Sequence, residues 1–257
     1  MKTGVLLAAL IFVYPCLANA GVVALTDPNF DEVSYTIAFG SYDAVNSNSV
    51  GVGWFTDGAQ SQCRRQRVAT GLFWGSLVGQ SGGQAALASQ FNVEPLSNAG
   101  ASLLQTVYLE AGNTYTLTVG VATGKGALNG GDGTATTVSK CDAKFEIGFA
   151  TAPVAPPYNP LYATYRLTDA TLLASTTGIS PNLNGVLTDY SCSFTPAVSG
   201  NYNIALRNRG YVEDTGADNM QSTLWFDNVR LTFVPEPSAA LLMIGLGMLL
   251  GSRRRHG

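Results

Sequence analysis

The chain has 257 residues, of which 12% are charged, and a formal net charge of −3. Residues 21–234 contain 10 Lys and Arg against 16 Asp and Glu, with one basic cluster at Arg64, Arg65 and Arg67. Nucleic-acid binding, which needs a basic face, is excluded, and we interpret this cluster as a solvated patch. The only histidine is His256. Histidine-dependent nucleophile systems and histidine-ligated zinc or iron sites are therefore excluded from the region before it.

The N-terminus predicts a removable signal peptide. Lys2 precedes an apolar run from Val5 to Val13, and Ala18 and Ala20 supply the small residues that a signal peptidase reads. We expect cleavage directly after Ala20, so that residues 1–20 are absent from the exported protein.

Period-two alternation of apolar residues predicts most of the remaining chain to be β-strands. In chain order the predicted strands are Val33–Phe39, Leu103–Leu109, Tyr115–Val121, Phe145–Phe149, Ala163–Leu167, Thr171–Ser175, Tyr190–Phe194, Tyr202–Leu206 and Ser222–Phe233. Turn-rich stretches separate them at Glu110–Asn113, Gly124–Gly133, Pro153–Pro160 and Gly178–Gly185. Many short strands with such turns predict that residues 21–233 form one all-β domain, a two-sheet antiparallel β-sandwich.

The predicted domain contains three cysteines. Cys192 alternates in phase with Tyr190 and Phe194, which predicts a core position for a small apolar side chain. Export permits one disulfide. We expect it to join Cys63 and Cys141, because both lie among polar loop residues.

Aromatic side chains are the candidate ligand-binding residues. Sugar sites use aromatic faces that stack on apolar sugar surfaces, with a few polar groups that fix the orientation. Trp54, Phe55 and Trp74 lie in the irregular early region and are the candidates, with core packing as the alternative for each. Trp225 lies in the last predicted strand, where we expect a structural role.

The C-terminal 24 residues combine a Pro-Glu-Pro triplet, an apolar run and a basic cluster. These lie at Pro235, Glu236 and Pro237, at Ala239–Gly251, and at Arg253, Arg254 and Arg255. The run of 13 residues is shorter than the about 20 that a transmembrane helix needs. The combination resembles the PEP-CTERM signal of Gram-negative bacteria, which a membrane cysteine protease, the exosortase, recognises and cuts near the triplet.

This resemblance implies that residues 234–257 are a sorting signal with a short apolar helix. It also implies processing by signal peptidase and exosortase, and transient anchoring in the inner membrane. The expected location is the cell surface, the outer envelope or the extracellular matrix of a Gram-negative bacterium. Because the sorting family is associated with exopolysaccharide and biofilm formation, we expect a non-catalytic protein with exopolysaccharide as its partner.

Three phrases resemble the galactose-binding-type jelly roll of carbohydrate-binding modules. Asp27–Asp31 is similar to the first-strand pattern Asn-Pro-x-Phe-Glu of that family. Gln105–Val119 is similar to its central hairpin, and Phe226–Leu231 to its closing strand. The resemblance implies a jelly roll in which the first and last strands lie side by side.

Members of that family often hold a structural calcium ion (Ca²⁺) between those two strands. The resemblance implies Asp31 and Asp227 as its ligands, with Asp27 as a further source of oxygen, and calcium prefers such carboxylate and carbonyl oxygens. Asp31 stands where the family has Glu, and its shorter side chain reaches less far. The alternative is that Asp227 caps a turn through backbone N–H groups.

Two other functions stay open. One is sugar binding of the lectin type, which an open aromatic groove would favour. The other is an enzyme, since cyanobacterial cyclases of indole alkaloids resemble this calcium-bearing jelly roll and use carboxylates rather than histidine. An aromatic-lined pocket around one buried carboxyl group would favour the enzyme. We predict no enzyme, because small-molecule chemistry gains little from display on the cell surface.

Overall fold

The computed structural model describes residues 20–30, 42–43, 49–51, 53–56, 62–67, 84–90, 101–123, 142–152, 167, 171–181, 185–211 and 222–236. The strands of these residues are β1 Gly21–Val23, β2 Tyr42–Asp43, β3 Ser49–Gly51, β4 Trp54–Thr56, β5 Gln62–Arg67, β6 Gln84–Gln90, β7 Ala101–Leu109, β8 Thr114–Thr123, β9 Ala143–Thr151, β10 Leu172–Ser180, β11 Thr188–Phe194, β12 Gly200–Tyr211 and β13 Ser222–Val234. The predicted signal peptide, apart from Ala20, and the predicted sorting helix lie outside them.

The strands form two antiparallel sheets. Sheet A has the order β11-β8-β13-β6-β5-β2, and β1 also pairs with β13. Sheet B has the order β10-β9-β12-β7-β4-β3. The predicted fold class, a two-sheet antiparallel β-sandwich, is therefore confirmed.

The main core lies between the two sheets and consists of side chains at alternate strand positions. On β8 they are Tyr115, Leu117, Val119 and Val121; on β9 Phe145, Ile147 and Phe149; and on β12 Ile204 and Leu206, all buried. Successive side chains of a strand point to opposite faces, so alternation in the sequence becomes a buried face and an outer face. Cys192 belongs to this core, which confirms its predicted core position, and Trp225 is also buried, in agreement with the structural role expected for it.

From residue 101 onward, predicted strands coincide with β7, β8, β9, β11, β12 and β13. One predicted turn is wrong at its start, because β10 continues to Ser180 and includes Gly178. A Cβ atom at Gly178 would collide with the ring of Phe145, so this glycine permits close packing instead of a turn. The predicted strand Val33–Phe39 lies outside the described residues.

The opening phrase of the jelly-roll resemblance does not form a strand in its described part. Residues 27–30 form a turn, and the first strand, β1, precedes it. The Phe30 N–H donates to the Asp27 carbonyl oxygen (3.2 Å), which closes this turn. β1, which precedes the turn, pairs with β13 at Gly21–Val23.

Candidate functional site

The N-terminal turn and the last strand meet at one junction. The Val229 N–H of β13 donates to the Pro28 carbonyl oxygen (3.0 Å), and β1 pairs with β13 in the antiparallel direction. The phrase predicted to form the first strand thus contacts the last strand as a turn, while β1, which precedes it, is the strand that pairs with β13. We call the turn Asp27–Phe30 and the facing part of β13, Asp227–Arg230, the terminal junction.

Two carboxylates are buried at the terminal junction. Asp27 is 1% exposed and Asp227 is 0% exposed. The regular pairing of β13 with β8 is interrupted between Asp227 and Arg230, which is the bulge that presents Asp227 here. A buried carboxylate is costly unless hydrogen bonds or a cation compensate its charge. The junction therefore brings together two of the three residues predicted to bind calcium; the third, Asp31, lies outside the described residues.

Backbone strain is concentrated at the same junction. Among the described residues, the non-glycine residues with positive φ are Asp27 (45°), Phe30 (56°) and Asn228 (53°). Asp and Asn tolerate this region better than most residues, but for a bulky residue such as Phe it is an outlier. Strain of this kind costs about 1–3 kcal/mol per residue and clusters at ligand sites and other functional positions.

The residues at the junction are held from sheet B by Trp54 and Gln105. The Trp54 Nε1–H donates to the Asp27 carbonyl oxygen (3.0 Å), and the Trp54 ring lies 4.9 Å from that of Phe30. Gln105 Oε1 accepts the Thr26 N–H (3.1 Å), while its Nε2 donates to the Thr26 carbonyl oxygen (2.7 Å). The N-terminal segment thus connects the two sheets at their edge. Sequence analysis missed Gln105, although it occupies an apolar phase with Leu103 and Val107.

The predicted ligand-binding aromatics are buried where the structure describes them. Trp54 is 1% exposed and Phe55 is 7% exposed. Because a ring that stacks on a sugar needs an accessible face, this burial favours the core-packing alternative for both. Trp74 lies outside the described residues.

Within the described ranges, no group of three or more His, Cys, Asp or Glu side chains is arranged to hold a metal ion. The junction nevertheless offers the oxygen ligands that calcium uses, namely the two buried carboxylates and the carbonyl groups of a strained turn. The chemistry of these groups fits calcium better than a softer metal, since neither histidine nor cysteine lies among them.

A third buried carboxylate belongs to an ion-pair cluster on the outer face of sheet B. Arg207 Nη1 and Arg209 Nη1 donate to Glu146 Oε2 at 3.2 and 2.8 Å, and Ser175 Oγ donates to Glu146 Oε1 at 2.8 Å. The side chains of Arg207 and Glu146 are 1% and 5% exposed. This cluster was not predicted from the sequence. The feature that could have indicated it is a charged residue between two apolar strand positions, as in Phe145-Glu146-Ile147.

Apolar side chains beside this cluster show that part of the outer face of sheet B is also covered. Leu104 and Ala205 are buried in a second cluster together with Phe55 and Ala150. Leu167, from the connection between β9 and β10, packs into the same cluster. Glu146 therefore accepts three donors beneath a covered face, and this is the arrangement of a structural ion pair.

The outer face of sheet A is different, because it carries paired hydroxyl groups. Three cross-strand hydrogen bonds join β8 to β11 and the residue after it, with oxygen–oxygen distances of 2.8, 3.0 and 2.8 Å: Thr114 with Thr195, Thr116 with Ser193, and Thr118 with Ser191. All three pairs are exposed to solvent. We call these six residues the hydroxyl strip.

The predicted disulfide stays a prediction, since Cys141 lies outside the described residues. Cys63 lies on β5. Cys192 is a free thiol. Burial raises the pKa of this thiol, an effect that its hydrogen bond with Thr176 partly opposes and the charge of Glu146 reinforces.

The sorting triplet begins directly after β13. Pro235 is half-buried and Glu236 is exposed, while Pro237 and the arginines Arg253, Arg254 and Arg255 lie outside the described residues. At the other end Ala20 is exposed, and Ala18 lies outside them. In the part of the chain that the structure describes, no helix is both long and apolar enough to span a membrane.

Comparison with known proteins identifies a sorting motif in the chain and solved structures with a similar fold. Residues 233–255 match the PEP-CTERM protein-sorting motif. No curated protein matches the chain. A Stig cyclase, Fisc, from Fischerella sp. TAU has 17% sequence identity and a TM-score of 0.54, with 84% of this chain and 98% of that chain covered. The apo form of a cyclase from Fischerella sp. has 17% identity and a TM-score of 0.53, with 85% and 98% covered.

The structure of a xylan-binding CBM22-1 domain from Paenibacillus barcinonensis Xyn10C has 7% identity and a TM-score of 0.40, with 79% of this chain and 99% of that chain covered. At these identities the similarity to the cyclases shows the fold alone. The motif match confirms the predicted sorting signal. The chain is accordingly an exported protein with a membrane-associated sorting step, in which a PEP-CTERM protein-sorting motif follows a two-sheet β-sandwich.

Proposed function

We propose that the chain is a non-catalytic protein of the cell surface or extracellular matrix, that exosortase processes it, and that it associates with exopolysaccharide. The observation that carries this proposal is the PEP-CTERM motif, which begins as the last strand of the β-sandwich ends. A sorting signal that directly follows an antiparallel β-sandwich suits a protein that functions through its surface and not by catalysing a reaction.

The hydroxyl strip supports the association with polysaccharide. Neighbouring strands lie about 4.8 Å apart and alternate residues about 6.7 Å apart along a strand, so the strip is a flat array of regularly spaced hydroxyl groups. Each hydroxyl that pairs with its neighbour keeps further hydrogen-bonding capacity toward solvent. An extended polysaccharide lying on the strip would form several weak hydrogen bonds without needing a deep pocket.

The contacts of Glu146 support a non-catalytic reading. Two guanidinium groups and a hydroxyl donate to it, which suits a fixed acceptor better than a group that delivers a proton. Similarity of fold to the cyclases is the one observation that favours the enzyme alternative. Lectin-type binding through Trp54 and Phe55 loses support from their burial.

We also propose that the terminal junction binds a structural calcium ion. Asp27, Asp227 and Asp31 would hold it, together with carbonyl oxygens of the turn. The ion would bind carboxylate oxygens from both sides of the terminal junction and so keep the strained turn in place against β13.

Cell fractionation tests the proposed location. We expect the intact gene to yield a tail-processed chain in the outer envelope or matrix fraction, whereas a control variant without residues 235–257 should not be sorted there. Full-length chain in the cytoplasm would overturn the proposal.

Co-sedimentation of the processed protein with isolated exopolysaccharide tests the partner. The double variant Thr116→Val, Ser193→Ala removes the central hydroxyl pair of the strip, and we expect about 2–10-fold weaker binding, the value of one lost hydrogen bond. Thr106→Val is the matched control, because Thr106 is an exposed threonine on sheet B that donates to Asn203. Equal binding by the double variant and the wild type would remove the hydroxyl strip from the proposal.

A further inference from the structure

No linker separates the folded domain from the sorting triplet. Val234 pairs with Thr114 of β8, and Phe233 pairs with Tyr115. The rings of Tyr115 and Phe233 lie 5.7 Å apart. Pro235, the next residue after Val234, is itself half-buried. The triplet therefore begins while the chain is still held in sheet A.

The glutamate of the triplet lies against the domain. Glu236 Oε2 is 3.6 Å from the position that a Cβ atom would take on Gly112, in the turn between β7 and β8. That turn is fixed in place, because the Gly112 N–H donates to the Pro196 carbonyl oxygen (3.1 Å) and the Ala111 N–H to Ser199 Oγ (2.8 Å). We call this end of the sandwich, with its turns at 110–113 and 195–199, the sorting pole.

The sorting pole also lies near the membrane before the tail is removed. Four residues, 235–238, lie between Val234 and Ala239, where the apolar run begins, so the Cα atoms of Val234 and Ala239 are at most about 18 Å apart. Apolar side chains are exposed at this pole, with Val198 at 69% and Val234 at 47%. A membrane protease that cuts near the triplet must therefore act in the narrow space between the domain and the bilayer.

We propose that the folded β-sandwich holds the first residues of its own sorting motif, Phe233 and Val234, at the sorting pole and thereby masks them from exosortase. A peptide bound in extended form must present its own backbone groups and side chains to the site that receives it. Phe233 and Val234, directly before the triplet, instead pair with β8, and Phe233 also pairs with β1. Exosortase then removes the tail only after the end of β13 has separated from β8, or before it has paired. This inference rests on the proposed processing by exosortase, and it makes tail removal sensitive to folding.

A flexible linker tests the masking. Ten Gly and Ser residues inserted between Val234 and Pro235 leave the strands of the domain and the Pro-Glu-Pro triplet intact but separate them. In a pulse-chase experiment on the full chain in its host, we expect tail removal to be about fivefold faster or more, because strand opening is no longer needed. The control is the same insertion within residues 124–133, which follow the opposite end of β8. We expect the control to be processed at the wild-type rate.

Equal rates for the wild type and the linker variant would overturn the masking. Absence of tail removal in every variant would instead overturn the proposed processing, so the two failures are distinguishable.

A pair of tyrosine variants provides a second measurement. Tyr115→Ala removes the ring that packs on Phe233 at the end of β13, whereas Tyr190→Ala removes a ring that packs on Phe145 further along the sandwich. Both variants lose packing, but only the first loosens the sorting pole. We expect Tyr115→Ala alone to accelerate tail removal by about threefold or more, since opening of a strand end is a local event. Equal acceleration by both would show that general unfolding, not masking at the pole, controls processing.

Discussion

Substitution of Glu146 by glutamine tests the ion-pair cluster of sheet B. The change keeps the shape of the side chain but removes the charge that faces Arg207 and Arg209. Arg207 is 1% exposed, so its guanidinium group has little access to water that could replace the carboxylate. Removing one partner of a buried ion pair lowers the free energy of unfolding by about 3–5 kcal/mol. We expect the lower end of this range because the side chain of Arg209 is 12% exposed.

A loss of about 3 kcal/mol lowers the midpoint of thermal unfolding by about 6–12 °C in a domain of this size. The measurement is thermal unfolding of the processed protein, followed by circular dichroism. Ser175→Ala is the control: it removes a neutral donor from the same carboxylate (2.8 Å) and should cost about 1 kcal/mol. If Glu146→Gln unfolds at the wild-type midpoint, the guanidinium groups have other adequate acceptors and the argument from burial is refuted.

Three further predictions concern the terminal junction and the core. A chelator should lower the unfolding midpoint of the processed protein, because calcium at a hundred times its dissociation constant adds about 2.7 kcal/mol; Asp227→Ala should abolish this difference. Identical midpoints with calcium and with chelator would contradict the calcium proposal. Trp54→Phe removes the donor to the Asp27 carbonyl oxygen and should cost about 2 kcal/mol, whereas an unchanged urea midpoint would show that this bond adds nothing. Burial raises the pKa of the Cys192 thiol, so this thiol ionises at a lower pH in the unfolded chain than in the folded one. Its contribution to the free energy of unfolding is therefore complete at low pH and decreases as the pH rises. As the pH rises above about 8.5, the usual pKa of a thiol, Cys192→Ala should lose less stability than the wild type under reducing conditions. Parallel losses in urea titrations would contradict this.

The sequence by itself determined most of the strands from residue 101 onward and the sorting tail. In β8 and β9 a regular alternation specifies which side chains face the core, and this information is local. Pro235, Glu236 and Pro237 are equally local, because a sorting signal is recognised by another protein as a linear motif. For these parts neighbouring residues carry enough information without the rest of the fold.

Only the tertiary structure determined which strands and side chains lie next to each other. The strands β2, β3 and β4 have two or three residues each, too few for a period to be recognised, and they exist because longer strands pair with them or lie beside them. Trp54 has the same side chain whether it binds a sugar or packs on Phe30, and only its position between the sheets settles its burial.

Pairing between distant strands explains the remaining features. Thr116 lies opposite Ser193, 77 residues away, and Glu146 lies opposite Arg207, 61 residues away. Sheet register depends on the whole set of strands that pack together, so no window of the sequence contains it. The hydroxyl strip, the buried ion pairs and the contact of Glu236 with the Gly112 turn are consequences of that register, and for this reason they emerged only from the folded chain.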